Sequence, residues 1–572
     1  MTRRFNSPHQ STPRAHLLSN GSYSVMLTAA GSGYSRWRDI AVTRWREDVT
    51  CDSYGSYVFL RDVFIGHVWS AGYQPSGREP ENYAVAFADD WAEFTRNDGP
   101  IRTRLEVLVS PEDDAEVRRV TLTNQGRGAR EIEVTTYCEV VLASAASDSA
   151  HPAFSKMFVQ TEFAAERAAL LATRRQRDPG QAPVWLVHFS CLEGTAVGGV
   201  QFETDRARFL GRGHDVRHAT SIMDARPLSN TVGTVLDPVL ALRRRVRIEP
   251  GQTAQIAFWT GIAASRAQAL ALVAKYGDAA AFERAKTLAW AQAQVQLQKL
   301  GVDAGEAAVF QDIGGRLLYC DPGLRAPRDI LDANRLGQAA LWSIGLSGDL
   351  PILLAEIDAT SDLDFARQLM RGRAFLQSKG LVFDLVFLNI AVMPDADALQ
   401  PLLEAIAGSS GKVLRVADAG AAHAGAAQAV SAASLALLRT AARVVVAGRN
   451  GPLNSQLARA EEAAPLPRQQ RENSASEPED DAVVPSGLAA QTASLEYFNG
   501  LGGFDGATNE YVILLEEGQW TPAPWINVIA NPDFGVLISA DGCGSSWSLN
   551  AQQNQITPWC NDPVSNTPAE VV

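Results

Sequence analysis

The chain has 572 residues, of which 46% are hydrophobic and 20% charged, which is ordinary globular usage and excludes a mainly disordered, collagenous or coiled-coil protein. Lys and Arg number 51 against 64 Asp and Glu, giving a net charge of −13; such a chain repels a phosphate backbone, so no nucleic-acid partner is expected. No run of 18 apolar residues occurs, and no membrane-spanning segment is predicted.

Residues 1–15 carry Arg3, Arg4 and Arg14 but no apolar core, and read as a tail rather than a secretory signal. Residues 20–260 then read as strands of a large antiparallel β-sandwich, a domain placed at 16–265. In Ile132–Val140 the residues Ile132, Val134, Thr136, Cys138 and Val140 share one face and Glu131, Glu133, Thr135, Tyr137 and Glu139 the other. Ile101–Val109, Val117–Asn124 and Arg244–Ile248 look similar, with turns at Asn97-Asp98-Gly99-Pro100, Asn124-Gln125-Gly126 and Pro250-Gly251. Arg243-Arg244-Arg245 reads as a basic guard on an edge strand.

The period changes after Trp259. Phe282, Ala285, Ala289 and Ala293 recur at helical spacing in 278–300, and a second helix is predicted at Ala304–Cys320, stopped by Asp321-Pro322-Gly323. Together these make a helical linker at 266–345. In 346–448 the apolar runs Ile352–Ile357, Leu381–Ile390, Lys412–Val416 and Val444–Ala447 alternate with helical stretches at 362–378, 396–407 and 421–442. This alternation predicts a small βαβ module with a parallel sheet. No GxGxxG or GxxxxGK[ST] follows these strands, so the module reads as packing rather than nucleotide binding. Residues 449–493, with Pro452, Pro465, Pro467 and the run Glu477-Pro478-Glu479-Asp480-Asp481, read as a disordered linker. Residues 494–572 return to β and aromatic composition.

The six cysteines at 51, 138, 191, 320, 543 and 560 include no CxxC and predict reduced, structural thiols in a cytosol-like compartment. His214 and His218 form an HxxxH pair in a stretch of strand and loop. Four residues along a strand span ~13 Å, too far for one ion, so no metal or other cofactor is expected.

The chain echoes itself. Asn20-Gly-Ser-Tyr-Ser-Val-Met-Leu-Thr-Ala-Ala-Gly-Ser-Gly33 parallels Asn531-Pro-Asp-Phe-Gly-Val-Leu-Ile-Ser-Ala-Asp-Gly-Cys-Gly544. Val42-Thr43-Arg44-Trp45-Arg46-Glu47-Asp48 parallels Ile556-Thr557-Pro558-Trp559-Cys560-Asn561-Asp562. A duplicated domain fits better than a solenoid. The second copy, at 494–572, is too short to close a sandwich, and the chain is expected to be a piece of something longer.

Gly31-Ser-Gly-Tyr-Ser-Arg-Trp37, followed by Arg44-Trp45-Arg46-Glu47-Asp48, resembles the glycosyltransferase-thirty-six β-sandwich of bacterial cyclic β-1,2-glucan synthases. So do His151-Pro-Ala-Phe-Ser-Lys156, Glu203-Thr-Asp-Arg-Ala-Arg-Phe-Leu-Gly-Arg212, Pro227-Leu-Ser-Asn-Thr-Val-Gly-Thr-Val-Leu-Asp-Pro238 and Gly345-Leu-Ser-Gly-Asp-Leu-Pro351. Asn499-Gly-Leu-Gly-Gly-Phe504, Gln519-Trp-Thr-Pro-Ala-Pro-Trp-Ile-Asn-Val-Ile-Ala-Asn-Pro532 and Thr557-Pro-Trp-Cys-Asn-Asp-Pro-Val564 resemble the next repeat of those proteins. The resemblance implies a galactose-mutarotase-like β-supersandwich of carbohydrate-binding type, linker helices, a small βαβ module and the start of a second sandwich. It implies a β-glucan oligosaccharide as ligand, and neighbouring barrel domains or the membrane-bound synthase as partners. It also implies a cytoplasmic location, held at the inner membrane through the parent synthase. The chain is expected to begin after a cyclising barrel and stop before a phosphorolytic one. The DWND-type aspartate of the family's general acid has no counterpart; Asp90-Trp91 lies in a context read as strand. Cys560 and Cys543 stand where the family pattern calls for a small hydroxyl residue and a glycine.

No catalytic residue is assigned. Glycoside cleavage needs a carboxylic acid at the leaving oxygen, and hydrolysis a second carboxylate; Glu47, Asp48 and Asp562 are the acids best placed by motif, with pairing to Arg36, Arg44 or backbone turns as the plainer reading. Trp37, Trp45, Trp547 and Trp559 suit either stacking on a pyranose or core packing. Arg36, Arg44 and Arg46 suit sugar hydroxyls or phosphate, or salt bridges to Asp39, Glu47 and Asp48. Gly31, Gly33, Gly542 and Gly544 are expected to permit positive φ in hairpins. The candidate substrate-binding set is therefore Arg36, Trp37, Arg44, Trp45, Asp48, Trp547, Trp559, Asn561 and Asp562. Three functions compete: carbohydrate-binding scaffold without a catalytic barrel, active transferase or phosphorylase on β-1,2-glucans, and non-binding docking module.

Overall fold

Period-two alternation of apolar residues builds two large antiparallel sheets packed face to face. The computed structural model describes residues 2–178, 180–392, 394–416, 429–462, 494–516, 518–559, 561–567 and 569–570. These fall in two compact units, one within residues 1–205 and 227–467, the other within 206–226 and 468–572. In the first unit, a nine-stranded sheet has the spatial order Arg3–Phe5, Asn82–Phe87, Ala92–Asp98, Ile101–Val109, Ala115–Asn124, Thr253–Ala263, Trp185–Glu193, Ala169–Arg174, Val159–Ala164. The facing ten-stranded sheet runs Thr195–Ala196, Pro238–Ile248, Arg130–Ser144, Ile40–Thr43, Gly33–Trp37, Tyr23–Thr28, Ala15–Ser19, with Gln201–Asp205, Tyr57–Asp62 and Val68–Ser70 joined at its side.

Tyr23, Val25 and Leu27 of one sheet share a core with Phe94, Leu105, Val120 and Ile256 of the other. The stripe read from Ile132–Val140 faces this core, with Ile132, Val134, Cys138 and Val140 buried. Its polar member, Thr136, is satisfied by the His188 ring at 2.8 Å and the Leu242 amide at 3.0 Å, as a buried hydroxyl requires.

Helices cover the outer faces. Arg266–Tyr276 and Ala280–Leu300 lie on the nine-stranded sheet, where Trp259 stacks on Tyr276 with ring centroids 4.1 Å apart. Phe282, Ala285, Ala289 and Ala293 are the buried stripe of the longer helix. Ala304–Tyr319, capped by Asp303 at the Gly305 and Glu306 amides, packs Phe310, Ile313 and Leu317 under Ala15, Leu17 and Met26. Its Gln311 accepts from the Leu17 amide and donates to the Leu17 carbonyl, both at 2.9 Å, so the helix closes the open edge strand Ala15–Ser19. A Cβ on Gly314 would meet Leu376 Cδ2 at 2.9 Å, so glycine sets the approach of this helix to Leu363–Ser378. The same core continues into a five-stranded sheet, all parallel, ordered Ala429–Val430, Lys412–Val416, Asp384–Asn389, Ile352–Ile357, Val444–Ala447. Among the described residues no helix is long and apolar enough to cross a membrane.

The second unit carries a hairpin, Gly502–Asp505 with Glu510–Ile513, and a three-stranded antiparallel sheet, Ile526–Ala530, Phe534–Ser539 and Gly544–Ser548. The sequence echo is also an echo in hydrogen bonds. Asn20 Oδ1 accepts from the Ser22 and Tyr23 amides at 3.0 and 2.8 Å; Asn531 Oδ1 accepts from Asp533 and Phe534 at 2.9 and 2.8 Å. Thr28 N donates to Ser32 O at 2.9 Å, and Ser539 N to Cys543 O at 2.8 Å. The Ser35 amide donates to Thr43 Oγ1 and the Ser546 amide to Thr557 Oγ1, each at 2.9 Å.

Several expectations are corrected. Residues 1–15 are not a free tail: Arg3–Phe5 pairs with Val85–Phe87, and the Arg14 guanidinium is buried against Asp312 and Glu461 at 3.2 and 2.7 Å. Three residues are too few to show a period. The linker predicted at 449–493 begins with a helix, Leu453–Glu462, that buries Leu453, Gln456, Leu457 and Ala460; residues 463–493 lie outside the described residues. The helix predicted at 421–442 is described over Ala432–Ala441, after the short strand Ala429–Val430, and residues 421–428 also lie outside. Residues 206–226, assigned by sequence to the first sandwich, belong to the second unit. Arg243-Arg244-Arg245 guards no edge, because Pro238–Ile248 lies between Arg130–Ser144 and the strands Gln201–Asp205 and Thr195–Ala196. Asp90-Trp91 sits in the turn between Asn82–Phe87 and Ala92–Asp98 rather than in a strand. Gly31, Gly33 and Gly542 have φ of 97°, 148° and 80°, whereas Gly544 is not left-handed and instead lets its strand approach Leu537 O.

Candidate functional site

Trp37 ends the strand Gly33–Trp37, and its half-buried indole is fixed at one edge: Nε1 donates to Asp114 Oδ2 at 2.6 Å. Arg38 lies over the ring at 4.8 Å. Asp114 belongs to the turn between Ile101–Val109 and Ala115–Asn124, and its other oxygen accepts from the Ser22 hydroxyl. The Asn20 amide group holds the same turn from below, donating to Ser110 O and Asp113 O at 2.8 and 3.0 Å. On the far side the helix Arg266–Tyr276 supplies Lys275, whose Nζ lies 2.6 Å from Asp113 Oδ2 and 3.6 Å from Glu112 Oε1. Tyr276 donates its hydroxyl hydrogen to Asp113 Oδ2 at 2.5 Å, and burial together with that carboxylate pushes the phenol above its ordinary value.

An open cleft of about 520 Å³ is lined by Asn20, Ser22, Asp113, Asp114, Gln268 and Lys275, among others, and Trp37 is tied to it through Asp114. The lining mixes carboxylate acceptors with neutral and cationic donors, and one of the carboxylates, Asp114, holds the Trp37 indole. Such a surface suits a ligand rich in hydroxyls. Sequence reasoning singled out Trp37 but not Asp113, Asp114 or Lys275. Asp113 and Asp114 read as an acidic turn and Lys275 lies more than 160 residues away, so no local spacing joins them; only the folded turn and the helix do.

The other predicted residues are not gathered at this cleft. Arg36, next to Trp37 on the strand, is half-buried and has no ion-pair partner among the described residues. Arg44 is buried and makes a bidentate pair with Asp148, both bonds 2.9 Å, and a third bond to Glu139 at 2.5 Å. Burial works against its charge, but Glu139 and Asp148 more than offset it and hold the guanidinium above its ordinary pKa. The predicted alternative partners, Asp39, Glu47 and Asp48, are not the ones it uses; Glu47 pairs with Arg443 at 2.7 Å. Trp45 packs edge-to-face on Tyr34 and Tyr319, with centroids 5.5 and 5.7 Å away, and joins the core under the helix Ala304–Tyr319. Asp48 closes a local turn, accepting from the Thr50 and Cys51 amides at 2.8 and 3.1 Å. Burial raises its pKa, but those bonds and the Thr50 hydroxyl outweigh it and leave the carboxyl below its usual value.

In the second unit Trp547 lies across Gly535 of the neighbouring strand, where no side chain would fit. Trp559 is 47% exposed, and Asn561 adopts a left-handed φ of 48°. Asp562 accepts a two-pronged pair from Arg206, 2.8 Å at each oxygen, and caps the Val564 amide at 3.0 Å. Cys560, the family-pattern departure beside them, lies outside the described residues. Cys51, Cys138, Cys191, Cys320 and Cys543 are unbridged.

Comparison with known proteins gives the family of the chain. The chain is 37% identical over 566 residues to the cyclic β-(1,2)-glucan synthase NdvB of Rhizobium meliloti (strain 1021), covering 97% of this chain and 20% of that protein. It is 23% identical over 266 residues to the N,N'-diacetylchitobiose phosphorylase of Vibrio proteolyticus, covering 45% of this chain and 31% of the enzyme. The chain thus spans about a fifth to a third of the length of these relatives. A bacterial glucoamylase complexed with acarbose superposes with a TM-score of 0.33 at 7% identity, over 56% of this chain and 44% of the enzyme. The family description "Glycosyl hydrolase 94, supersandwich domain" matches residues 1–279 and 509–572, and with more than half of its residues so matched, the chain belongs to the glycosyl hydrolase 94 supersandwich family.

Proposed function

We propose that this chain is the carbohydrate-binding and scaffolding part of a cyclic β-1,2-glucan synthase-type enzyme. In this reading it acts without a catalytic barrel of its own. The observation that carries it is the Trp37–Asp114 pair: an indole held in one orientation by a carboxylate that lines the polar cleft together with Asp113 and Lys275. Aromatic planes complement the C–H faces of pyranoses, while carboxylates and amides take their hydroxyls. A β-glucan oligosaccharide is the ligand that fits both the chemistry and the similarity to the synthase.

The acids of the cleft are already engaged. Asp113 accepts from Lys275 and Tyr276, and Asp114 from Trp37 and Ser22. Carboxylates so tied, on one turn rather than across a groove, support binding rather than bond cleavage. The scaffolding half of the reading is supported by Trp290 and Val295, 58% and 64% exposed on the helix Ala280–Leu300, which offer apolar area to neighbouring barrel domains. Association with the inner membrane would come through the rest of the synthase.

Isothermal titration of the folded chain with linear β-1,2-glucans tests the proposal. Saturable heat that disappears in Trp37→Ala is expected. No heat at millimolar ligand overturns it. Release of glucose 1-phosphate from oligoglucan and phosphate by this chain alone would replace it with an active phosphorylase.

A further inference from the structure

The parallel sheet has a topological switch. The chain leaves Ile352–Ile357 toward Asp384–Asn389 and Lys412–Val416 on one side, then returns to lay Val444–Ala447 on the other. Open parallel sheets bind ligands where the strand order reverses, outside the carboxyl ends of the strands. At that place a second cavity of about 520 Å³ opens, lined by Glu356 near the end of the first strand and by Ala447, Arg449 and Asn450 at and after the end of the last. Arg325, Arg439 and Arg459 close it from the elements packed around the sheet.

Four guanidinium groups therefore meet one lining carboxylate. Glu356 is spent on two of them: Oε1 accepts from Arg439 at 2.9 and 2.7 Å, and Oε2 from Arg449 at 2.7 Å. Asp358 lies 4.0 Å from Arg449 Nη1. The hydrogen bonds of the other two arginines go to neutral carbonyls, Arg325 to Thr440 O at 2.6 Å and Arg459 to Asn450 O at 2.7 Å. Arg325 Nε is buried and has no acceptor among the described residues. A buried guanidinium N–H without an acceptor is costly, and an excess of cations around a cavity favours an anion that accepts several hydrogen bonds at once. The sequence here has no glycine-rich phosphate loop, so recognition falls to side chains.

We propose that this crevice binds a phosphate group, either as inorganic phosphate or as the phosphomonoester of a small molecule, with Arg325 and Arg459 as its main donors. The volume exceeds what a bare phosphate fills and leaves room for an attached hexose-sized group. The site stands apart from the Trp37 cleft and does not depend on the glucan reading.

The test is calorimetric titration of the full chain at low salt with inorganic phosphate and, separately, with a hexose monophosphate. Saturable one-to-one binding is expected. Tighter binding of the monoester identifies the phosphomonoester as ligand, and equal or tighter binding of inorganic phosphate identifies the free anion. Arg325→Gln and Arg459→Gln should each weaken binding about tenfold or more. Glu356→Gln should strengthen it several-fold, because Arg439 and Arg449 are released to the ligand. Arg328→Gln, on an exposed side chain outside the cavity, should leave it unchanged. The proposal is overturned by absence of saturable heat with both anions in a chain whose circular dichroism shows it folded. It is equally overturned if binding is indifferent to both arginine variants, or if Arg328→Gln weakens it as much as they do. Should Glu356→Gln not fold, the arginine pair decides alone.

Discussion

The Tyr319 hydroxyl donates to Asp52 Oδ1 at 2.8 Å, tying the helix Ala304–Tyr319 to a loop of the sandwich. Asp52 is buried, sits at a left-handed φ of 45°, and also accepts from Thr28 Oγ1 at 2.9 Å. Burial pushes its carboxyl up to about 6, and the bonds from Tyr319, Thr28 and Ser32 only partly counter it. The folded state therefore holds a proton that the unfolded chain, near pH 3.9, has lost. Its stabilising effect is full below that pH and is lost as pH rises through 6. Wild type should lose roughly 2 kcal/mol relative to Asp52→Asn between pH 4 and 7. Urea denaturation of both proteins across that range measures the difference, and parallel curves would refute it.

Trp37 and Trp45 should part company. Trp45 is locked among Tyr34, Tyr319 and the core, so Trp45→Ala is expected to destabilise the fold by about 3 kcal/mol and leave glucan affinity unchanged. Trp37 packs against the sandwich core and is bonded at one edge to Asp114, which lines the cleft, so Trp37→Ala should cost affinity about tenfold in addition to its loss of stability. Thermal unfolding and calorimetric titration on the two variants separate these effects. Equal affinity losses would remove the distinction.

What was legible in the sequence was periodic. The strand containing Ile132–Val140, the stripe of Phe282, Ala285, Ala289 and Ala293, and the alternation that builds the parallel sheet each repeat over enough residues to rise above chance. What escaped was short or distant. Arg3–Phe5 joins a sheet through main-chain bonds that carry no side-chain pattern. Leu453–Glu462 is a polar helix whose few buried residues hide among charges. The partner of Asp562 is Arg206, more than three hundred residues earlier, and nothing local to either residue names the other. Trp37 was visible as a candidate because a motif marked it, whereas Asp114 and Lys275 were not, since only the folded turn brings Asp114 to Trp37 and only the helix Arg266–Tyr276 brings Lys275 to Asp113.

Arg44 is the centre of a buried triad with Asp148 and Glu139, and Tyr137 also donates to Glu139 at 3.1 Å. Replacing it by Met takes the bidentate guanidinium from the buried Asp148 carboxylate and one bond from Glu139, which costs about 3–5 kcal/mol. The triple variant Arg44→Met, Asp148→Asn, Glu139→Gln should recover most of the loss. Denaturation midpoints of the single and triple variants check this; no recovery in the triple variant would mean that packing, rather than charge, holds the site.

Asp48 and Asp562 occupy matching places in the sequence echo, yet their bonds predict opposite sensitivities. Asp562 holds Arg206 by two bonds of 2.8 Å, with side chains only 18% and 8% exposed, so Asp562→Asn removes a charge from a nearly buried pair and should cost about 3 kcal/mol in the second unit. Asp48 binds amides and a hydroxyl of its own turn, and asparagine offers the same acceptor there, so Asp48→Asn should cost well under ~1 kcal/mol. Hydrogen exchange reads the difference locally. The Gly213 and Val564 amides, donating to Val564 O and Asp562 Oδ1, should lose protection in Asp562→Asn, while the amides of Thr50 and Cys51 should keep theirs in Asp48→Asn. Similar losses at both places would mean that the echo preserves the turn but not the division of labour inferred from its bonds.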